Sequence, residues 1–156
     1  MATISYLSPQ VINDCCYMEN FPEAASQSFN AGELVYLVSG KVTVCATDAT
    51  AILGRALTAA SGTTDTNILV QVFLSGIIVE MTMTTGGSNI VLAATHYGVQ
   101  YGLYVASNLH YIDVADTTNG VFVILKEVGS PRSVLGDTNS RVAATVIDAV
   151  LQSATQ

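Results

Sequence analysis

His110 and Asp113 are the residues whose types could combine into a catalytic pair, because a histidine held by a carboxylate is the core of an acid–base relay. They lie in LHYIDV, whose alternation is typical of a β-strand, and residues three apart on a strand point to opposite faces. The spacing excludes a relay on this element. Ser107, Ser130 and Ser133 offer no replacement, since none lies in a GxSxG turn. We therefore predict no catalytic residues.

Metal and cofactor chemistry has equally little support. Zinc sites use paired cysteines or histidines at short spacings, whereas Cys15 and Cys16 are adjacent and Cys45 stands alone. We expect free thiols in a reducing compartment. The glycine-rich TTGGSN at 84–89 lacks the lysine of a phosphate-binding loop. The sequence predicts no metal site and no cofactor.

Charge excludes further classes of function. The 156 residues carry five Lys plus Arg against twelve Asp plus Glu, a formal net charge of −7. The few cations are scattered, so no nucleic-acid partner is expected. The start, MATISYLSPQ, lacks the pattern of an export signal, and no apolar run is long enough to span a membrane. Only 11% of residues are charged against a usual value of about 25%, which suggests apolar surface reserved for a partner.

The segments that would position the candidate residues have the sequence pattern of β-hairpins. LVYLVSGKVTVCA at 34–46 folds back at Ser39-Gly40, which puts Val35, Leu37, Val42 and Val44 on one apolar face. The other face is mixed in polarity. A three-residue loop would mix the two faces, so the pattern favours the two-residue turn.

Two more hairpins follow the same pattern. One joins 67–74 to 77–84 through Ser75-Gly76, pairing Val72 with Val79. The other turns at Ser107-Asn108 and pairs Tyr104 with Tyr111. Further strands are predicted at 51–58, with Gly54 as a bulge or a close approach, and at 121–128. Short strands at near-regular intervals predict an all-β fold, a compact sandwich or barrel built from hairpins.

The two ends of the chain are harder to interpret. Residues 140–152 fit either a helix or a strand, and we favour a strand. Residues 1–28 have no regular period but contain aromatic and aliphatic side chains. We interpret 1–28 as an extended N-terminal arm ordered by a neighbour, and 29–156 as the β-rich domain. Removal of residues 1–20 is expected to leave that domain folded.

Residues 29–62, FNAGELVYLVSGKVTVCATDATAILGRALTAASG, carry a family resemblance. An Ala-Gly-Glu-Leu-Val strand opening is followed by a Gly-Lys-Val turn, an alanine-rich link, an Ile-Leu-Gly strand and an Ala-Ser-Gly turn. This stretch resembles the small capsid decoration (cement) proteins of tailed bacteriophages. The segment 136–152 is also similar to the closing segment of that family, which favours a strand there.

The resemblance implies a structural virion protein with no enzymatic activity. Such proteins, commonly homotrimers, bind the outside of the head at threefold or local threefold positions and clamp neighbouring major capsid subunits. The chain would be made in the cytoplasm of the host bacterium. The arm then becomes the candidate grip on the capsid, through Tyr6, Leu7, Val11, Ile12, Tyr17 and Phe21. The mixed hairpin faces supply candidates for the trimer seam, namely Leu34, Tyr36, Val38, Tyr104 and Tyr111.

Two alternatives remain open at this point. A head-fibre base, tail or baseplate component would share the β-rich composition. A small acidic β-barrel enzyme or ligand-binding module would instead use His96, His110 and nearby aspartates.

Overall fold

The computed structural model describes residues 8–128 and 134–153. They form an all-β structure of two sheets, which confirms the predicted fold class. Within these residues helical structure is limited to two short 3-10 turns, Ala94–His96 and Asp148–Val150. Tyr6 and Leu7 of the predicted arm lie outside the described residues.

The first sheet has six strands and closes on itself. Its strands are β1 (Gln10–Val11), β7 (Ile78–Thr84), β8 (Gln100–Ala106), β9 (Leu109–Asp113), β10 (Phe122–Glu127) and β11 (Arg141–Val146). Their order is β1-β7-β11-β10-β8-β9, and β9 also pairs with β7 in parallel, Thr82 beside Tyr111. Five of the strands therefore form a closed ring, with β1 added beside the first half of β7. Closure leaves few strand edges unpaired.

The second sheet has five strands in the order β2-β6-β5-β3-β4. They are β2 (Cys16–Pro22), β3 (Leu34–Val38), β4 (Lys41–Val44), β5 (Gly54–Ala56) and β6 (Asn67–Phe73). Its outer strands meet where Glu23 bridges to Val42 and the Ala24 N–H donates to the Val42 carbonyl at 3.0 Å. The buried Glu23 carboxylate accepts the Ser61 and Gly62 N–H groups at 2.9 and 2.7 Å. Glu23 thus ties the end of β2 to the 61–62 turn.

Two predicted hairpins are confirmed with their register. Val38 pairs with Lys41 across Ser39-Gly40, both of which have the positive φ of a tight two-residue turn. Tyr104 likewise pairs with Tyr111 between β8 and β9. The period-2 pattern and the turn residues were sufficient here because both strands of each hairpin share one sheet.

The predicted hairpin of 67–74 with 77–84 is wrong. The turn exists, since the Ile77 N–H donates to the Leu74 carbonyl at 3.0 Å, but β6 and β7 diverge into different sheets. β6 lies between β2 and β5. β7 pairs with β11 along one edge, and along its other edge it pairs first with β1 and then with β9. Alternating apolar residues mark a buried face without saying which strand pairs with which. That ambiguity produced the error.

Two apolar clusters form the interior, and they use opposite faces of the first hairpin. The smaller cluster contains Val35 and Val42, with Leu37 and Val44 packed against it. The other face contributes Leu34 and Cys45 to the larger cluster, which is built mainly from the first sheet, and Tyr36 packs on it. Much of the mixed face is therefore covered by the chain's own other sheet.

The structure also tests the strand predicted at 140–152 and the role predicted for Gly54. β11 confirms the strand interpretation for 141–146, after which Asp148–Val150 forms a 3-10 turn. Gly54 marks a close approach, since a Cβ at this position would lie 2.0 Å from the Gln71 carbonyl oxygen. The adjacent Arg55 is buried on the same strand, and its partners are given below.

Candidate functional site

The N-terminal segment, residues 8–22, lies along both sheets of its own chain. Gln10 and Val11 pair with β7 of the first sheet. All seven residues of β2 pair with β6 of the second, from Cys16 beside Phe73 to Pro22 beside Asn67. We predicted that a neighbour would order this arm, whereas its described part is ordered by pairing within the chain.

Arg141 of β11 fixes the start of this segment. The side chain is buried, and its Nε donates to the Glu80 carboxylate at 2.6 Å. Its Nη2 donates to the backbone carbonyls of Ser8 and Glu80 at 3.0 and 2.9 Å. A buried charge needs such a paired and hydrogen-bonded environment to be tolerated. Arg141 thus holds the backbone of Ser8 by a charge-assisted bond.

Arg55 of β5 holds the next residue from the other sheet. Its Nη1 donates to the Pro9 carbonyl at 2.7 Å and to the Gln10 side chain at 3.2 Å, and its Nε donates to the Gln71 side chain at 2.7 Å. Burial lowers the pKa of Arg55 from its ordinary value. A guanidinium nevertheless stays protonated at neutral pH. We call Arg55 and Arg141 together the arginine clamp, since one comes from each sheet and they grip consecutive carbonyls.

The predicted capsid-binding residues within the described segment divide into two kinds. Ile12 and Tyr17 are 48% and 45% exposed and are available to a partner. Val11 and Phe21 pack against the larger and the smaller apolar cluster. Met18, 64% exposed, was missed. Its proximity to Tyr17 in sequence was the available signal, but adjacent strand residues point to opposite faces, so an alternating pattern does not predict that both are exposed.

The candidate seam residues do not form one surface. Leu34 is completely buried, so its assignment to a subunit seam is wrong. Tyr36 is half-buried against the larger cluster, whereas Val38 is 46% exposed. Tyr104 and Tyr111 lie on the first sheet with ring centroids 6.4 Å apart at 50°. The mixed hairpin faces serve internal packing as well as any outward contact.

His110 contacts Glu33, a partner that its sequence position did not reveal. Its Nε2 lies 3.1 Å from the Glu33 carboxylate, whose other oxygen accepts the Asn30 N–H at 2.6 Å. Both side chains are shut off from solvent. Within the described chain the His110 Nδ1 has no hydrogen-bond partner. The pair links the segment entering β3 to β9 of the other sheet, which is a structural arrangement with no access for a substrate.

Across residues 8–128 and 134–153, no group of three or more His, Cys, Asp or Glu side chains is placed to hold a metal ion. The same residues contain no helix that is long and apolar enough to cross a membrane. Comparison with known proteins finds no family model, no curated protein and no solved structure that matches this chain.

Proposed function

We propose that this protein is a structural component of a tailed-bacteriophage virion that binds the outer surface of the head and clamps neighbouring major capsid subunits. The observation that carries the proposal is the exposure of the apolar side chains Ile12, Tyr17 and Met18 on the N-terminal segment, with Tyr17 and Met18 on opposite faces of β2. We call these three residues the docking set. Because residues 29–62 resemble capsid decoration proteins, we propose the major capsid protein as the partner that this set binds.

Rigid support of the docking set favours this role. The arginine clamp fixes the backbone at Ser8 and Pro9, and β2 fixes Tyr17 and Met18 along its full pairing with β6. A segment whose backbone is ordered before binding loses less entropy when a partner covers it. Exposed apolar side chains on an anchored strand therefore suit a permanent structural contact.

The charge of the chain suits the outside of a head. Three copies would carry 3 × (−7) = −21 formal charges, which packaged DNA would repel. Three modest contacts on one trimer would also reinforce each other through effective concentration. The trimer itself rests on the resemblance, because Leu34 and much of the mixed hairpin face are buried within the chain. Location on the virion, after synthesis in the host cytoplasm, rests on the resemblance in the same way.

The test is cosedimentation of the purified protein with undecorated heads over a range of salt. We expect the wild type to sediment with heads and the variant Ile12→Ser/Tyr17→Ser/Met18→Ser to remain in solution. The matched control is Val91→Ser/Leu135→Ser, which removes exposed apolar side chains far from this segment in sequence. Both variants must give the circular dichroism of the wild type.

Four results would contradict parts of the proposal. Failure of the wild type to sediment with heads removes the capsid role, and antibody labelling of the tail alone moves the protein to the tail or baseplate. Equal loss of binding in both variants removes the docking set. Light scattering of the isolated protein should give a mass of three times 16.3 kDa, about 49 kDa. A mass of 16.3 kDa in solution, together with single subunits on the heads, would contradict the trimer.

A further inference from the structure

A concavity of about 160 Å³ lies beside the β8–β9 hairpin and is independent of the docking set. Its walls come from four places in the chain: the end of β7, the loop that follows it, both strands of the hairpin, and the turn before β11. The lining residues are Met83, Thr84, Gly87, Tyr104, Ala106, Tyr111 and Asn139. The parallel pairing of β7 with β9 holds two of these walls, the end of β7 and the hairpin, in fixed register.

Tyr104 and Tyr111 supply the aromatic surface. They are a cross-strand pair, with centroids 6.4 Å apart and planes at 50°, so the two rings form an angled wall. Neither hydroxyl has a hydrogen-bond partner within residues 8–128 and 134–153. A Cβ on Gly87 would lie 2.5 Å from the Tyr104 hydroxyl oxygen, so glycine is what leaves room for that hydroxyl in the wall. The concavity therefore presents two aromatic faces and two hydroxyls free to bond a ligand.

The polar side of the concavity is held in place by the protein. Asn139 accepts the Ile90 N–H at 3.0 Å and donates to the Asn89 side chain at 2.6 Å. The Thr84 hydroxyl donates to the Ser88 carbonyl at 2.9 Å. Each group keeps capacity for one further bond, since an amide has two N–H groups and a hydroxyl oxygen has two lone pairs. These groups are positioned before any ligand arrives.

The uncharged lining of the concavity favours a neutral ligand over a charged one. None of the seven lining residues carries a charge at neutral pH. The nearby Asp113 carboxylate is already engaged, as it accepts the Gly86 and Ala115 N–H groups at 2.8 and 3.0 Å. An anion would find no cation here, and a cation would find no free carboxylate among the lining residues.

The volume suits one small ring. Drug-sized ligands occupy pockets of about 300–1,000 Å³, whereas a cavity of about 150 Å³ accepts a six-membered ring. A neutral six-membered ring that offers C–H groups to aromatic faces and hydroxyls to polar side chains is a sugar ring. We propose that this concavity binds one neutral hexose unit, with Tyr104 and Tyr111 as its aromatic contacts and Thr84 and Asn139 as its polar contacts. This saccharide site does not rest on the virion role.

The test uses the isolated full-length protein and ligand-observed saturation-transfer NMR. The probes are the methyl glycosides of glucose, galactose, mannose and N-acetylglucosamine at about 10 mM, where weak single-ring affinities are measurable. Tyrosine fluorescence gives a second readout, because the chain has no tryptophan. We expect at least one glycoside to bind and to perturb tyrosine emission.

Tyr104→Phe and Tyr111→Phe keep the rings and remove the hydroxyls, so each should weaken binding by about five- to tenfold without unfolding the protein. Gly87→Ala should weaken it further because the new methyl displaces Tyr104. Tyr97→Phe removes a hydroxyl that donates to Glu127 and lies outside the set of lining residues, so it is the matched control and should bind as the wild type does. Binding of none of the four glycosides, or equal binding in the wild type and both pocket phenylalanine variants, overturns the proposal. Binding of tetramethylammonium in place of the glycosides would also overturn it, by assigning the tyrosines to a cation site.

The outcome is separable from that of the proposed function. Glycoside binding is measured without heads, and the docking set contributes no residue to the concavity. Glycoside binding without head binding would contradict only the virion role. Head binding without glycoside binding would contradict only the saccharide site.

Discussion

Several buried polar side chains of this protein bond to specific partners in distant parts of the chain. Arg141 pairs with Glu80 inside the first sheet, and Glu23 accepts N–H groups of the 61–62 turn. Lys41 and Asp65 form an ion pair of a different kind, 2.7 Å apart but 39% and 64% exposed. Buried and exposed pairs of similar length differ in energy because water screens only the second.

We predict that Arg141→Met lowers the free energy of unfolding by about 3–5 kcal/mol, because it leaves the Glu80 carboxylate buried beside an apolar side chain. Lys41→Met should lower it by less than about 1 kcal/mol. Urea denaturation followed by circular dichroism measures both. Equal losses in the two variants would show that the clamp arginine contributes no more than a surface pair.

Cys45 gives a prediction about pH and reactivity. Its burial raises the pKa of the thiol, so the folded state keeps a proton that the unfolded state releases above about pH 8.5. Stability from this group is complete below that pH and falls as pH rises, because the unfolded state then binds fewer protons than the folded state. Iodoacetamide at pH 8 should label Cys15 and Cys16 in the native protein and Cys45 only after unfolding. Native labelling of Cys45 at the rate of the other two would contradict this prediction.

At the scale of elements, the strands pair correctly wherever the turn residues and the apolar alternation agree. The hairpins at Ser39-Gly40 and Ser107-Asn108 have the positive φ values that two-residue turns require. The Ser75-Gly76 turn has similar residue types, yet its strands separate into two sheets. Close packing between neighbouring strands limits which side chains can be accommodated. Gly54 of β5, which lies between β3 and β6, is an example.

We predict that Gly54→Ala destabilises the protein by at least about 3 kcal/mol, because the added methyl overlaps the Gln71 carbonyl of the paired strand. Gly40→Ala is the matched control: its φ is +78° but nothing lies within 4 Å, so only backbone strain of about 1–2 kcal/mol is expected. Thermal unfolding of both proteins compares the two costs. A smaller loss for Gly54→Ala than for Gly40→Ala would refute the close approach.

At the scale of the whole molecule, the N-terminal segment joins the two sheets. It adds β1 to the first sheet and β2 to the second, and the arginine clamp binds it from both. The low charge of the chain is explained in part by this internal arrangement, in which both faces of the first hairpin are covered by the same chain. Exposed large apolar side chains remain in the docking set and also elsewhere in the chain, for example at Val91 and Leu135.

Truncation distinguishes this arrangement from a detachable arm. Removal of residues 1–7 leaves every described contact in place, so the midpoint of urea unfolding of that protein is the reference value. Removal of residues 1–20 deletes β1 and most of β2 and leaves the Arg55 guanidinium without the Pro9 carbonyl. We expect that protein to be destabilised by several kcal/mol, on the order of a lost buried charge network, contrary to our sequence-based expectation that the domain would remain folded. Equal stability of both truncated proteins would restore the detachable arm.

The sequence by itself determined the all-β class and two hairpins with their register, because these depend on local alternation and turn geometry. It left Gly54 as a bulge or a close approach, and its periodicity fitted either a helix or a strand at 140–152, with a strand favoured. Only the tertiary structure decided that β6 and β7 enter different sheets, that Leu34 is interior, and that His110 faces Glu33. It also decided that Arg55 and Arg141 meet the backbone of Ser8 and Pro9. These contacts join residues tens of positions apart, and the period of a strand says which residues share a face but not which distant strand that face will meet.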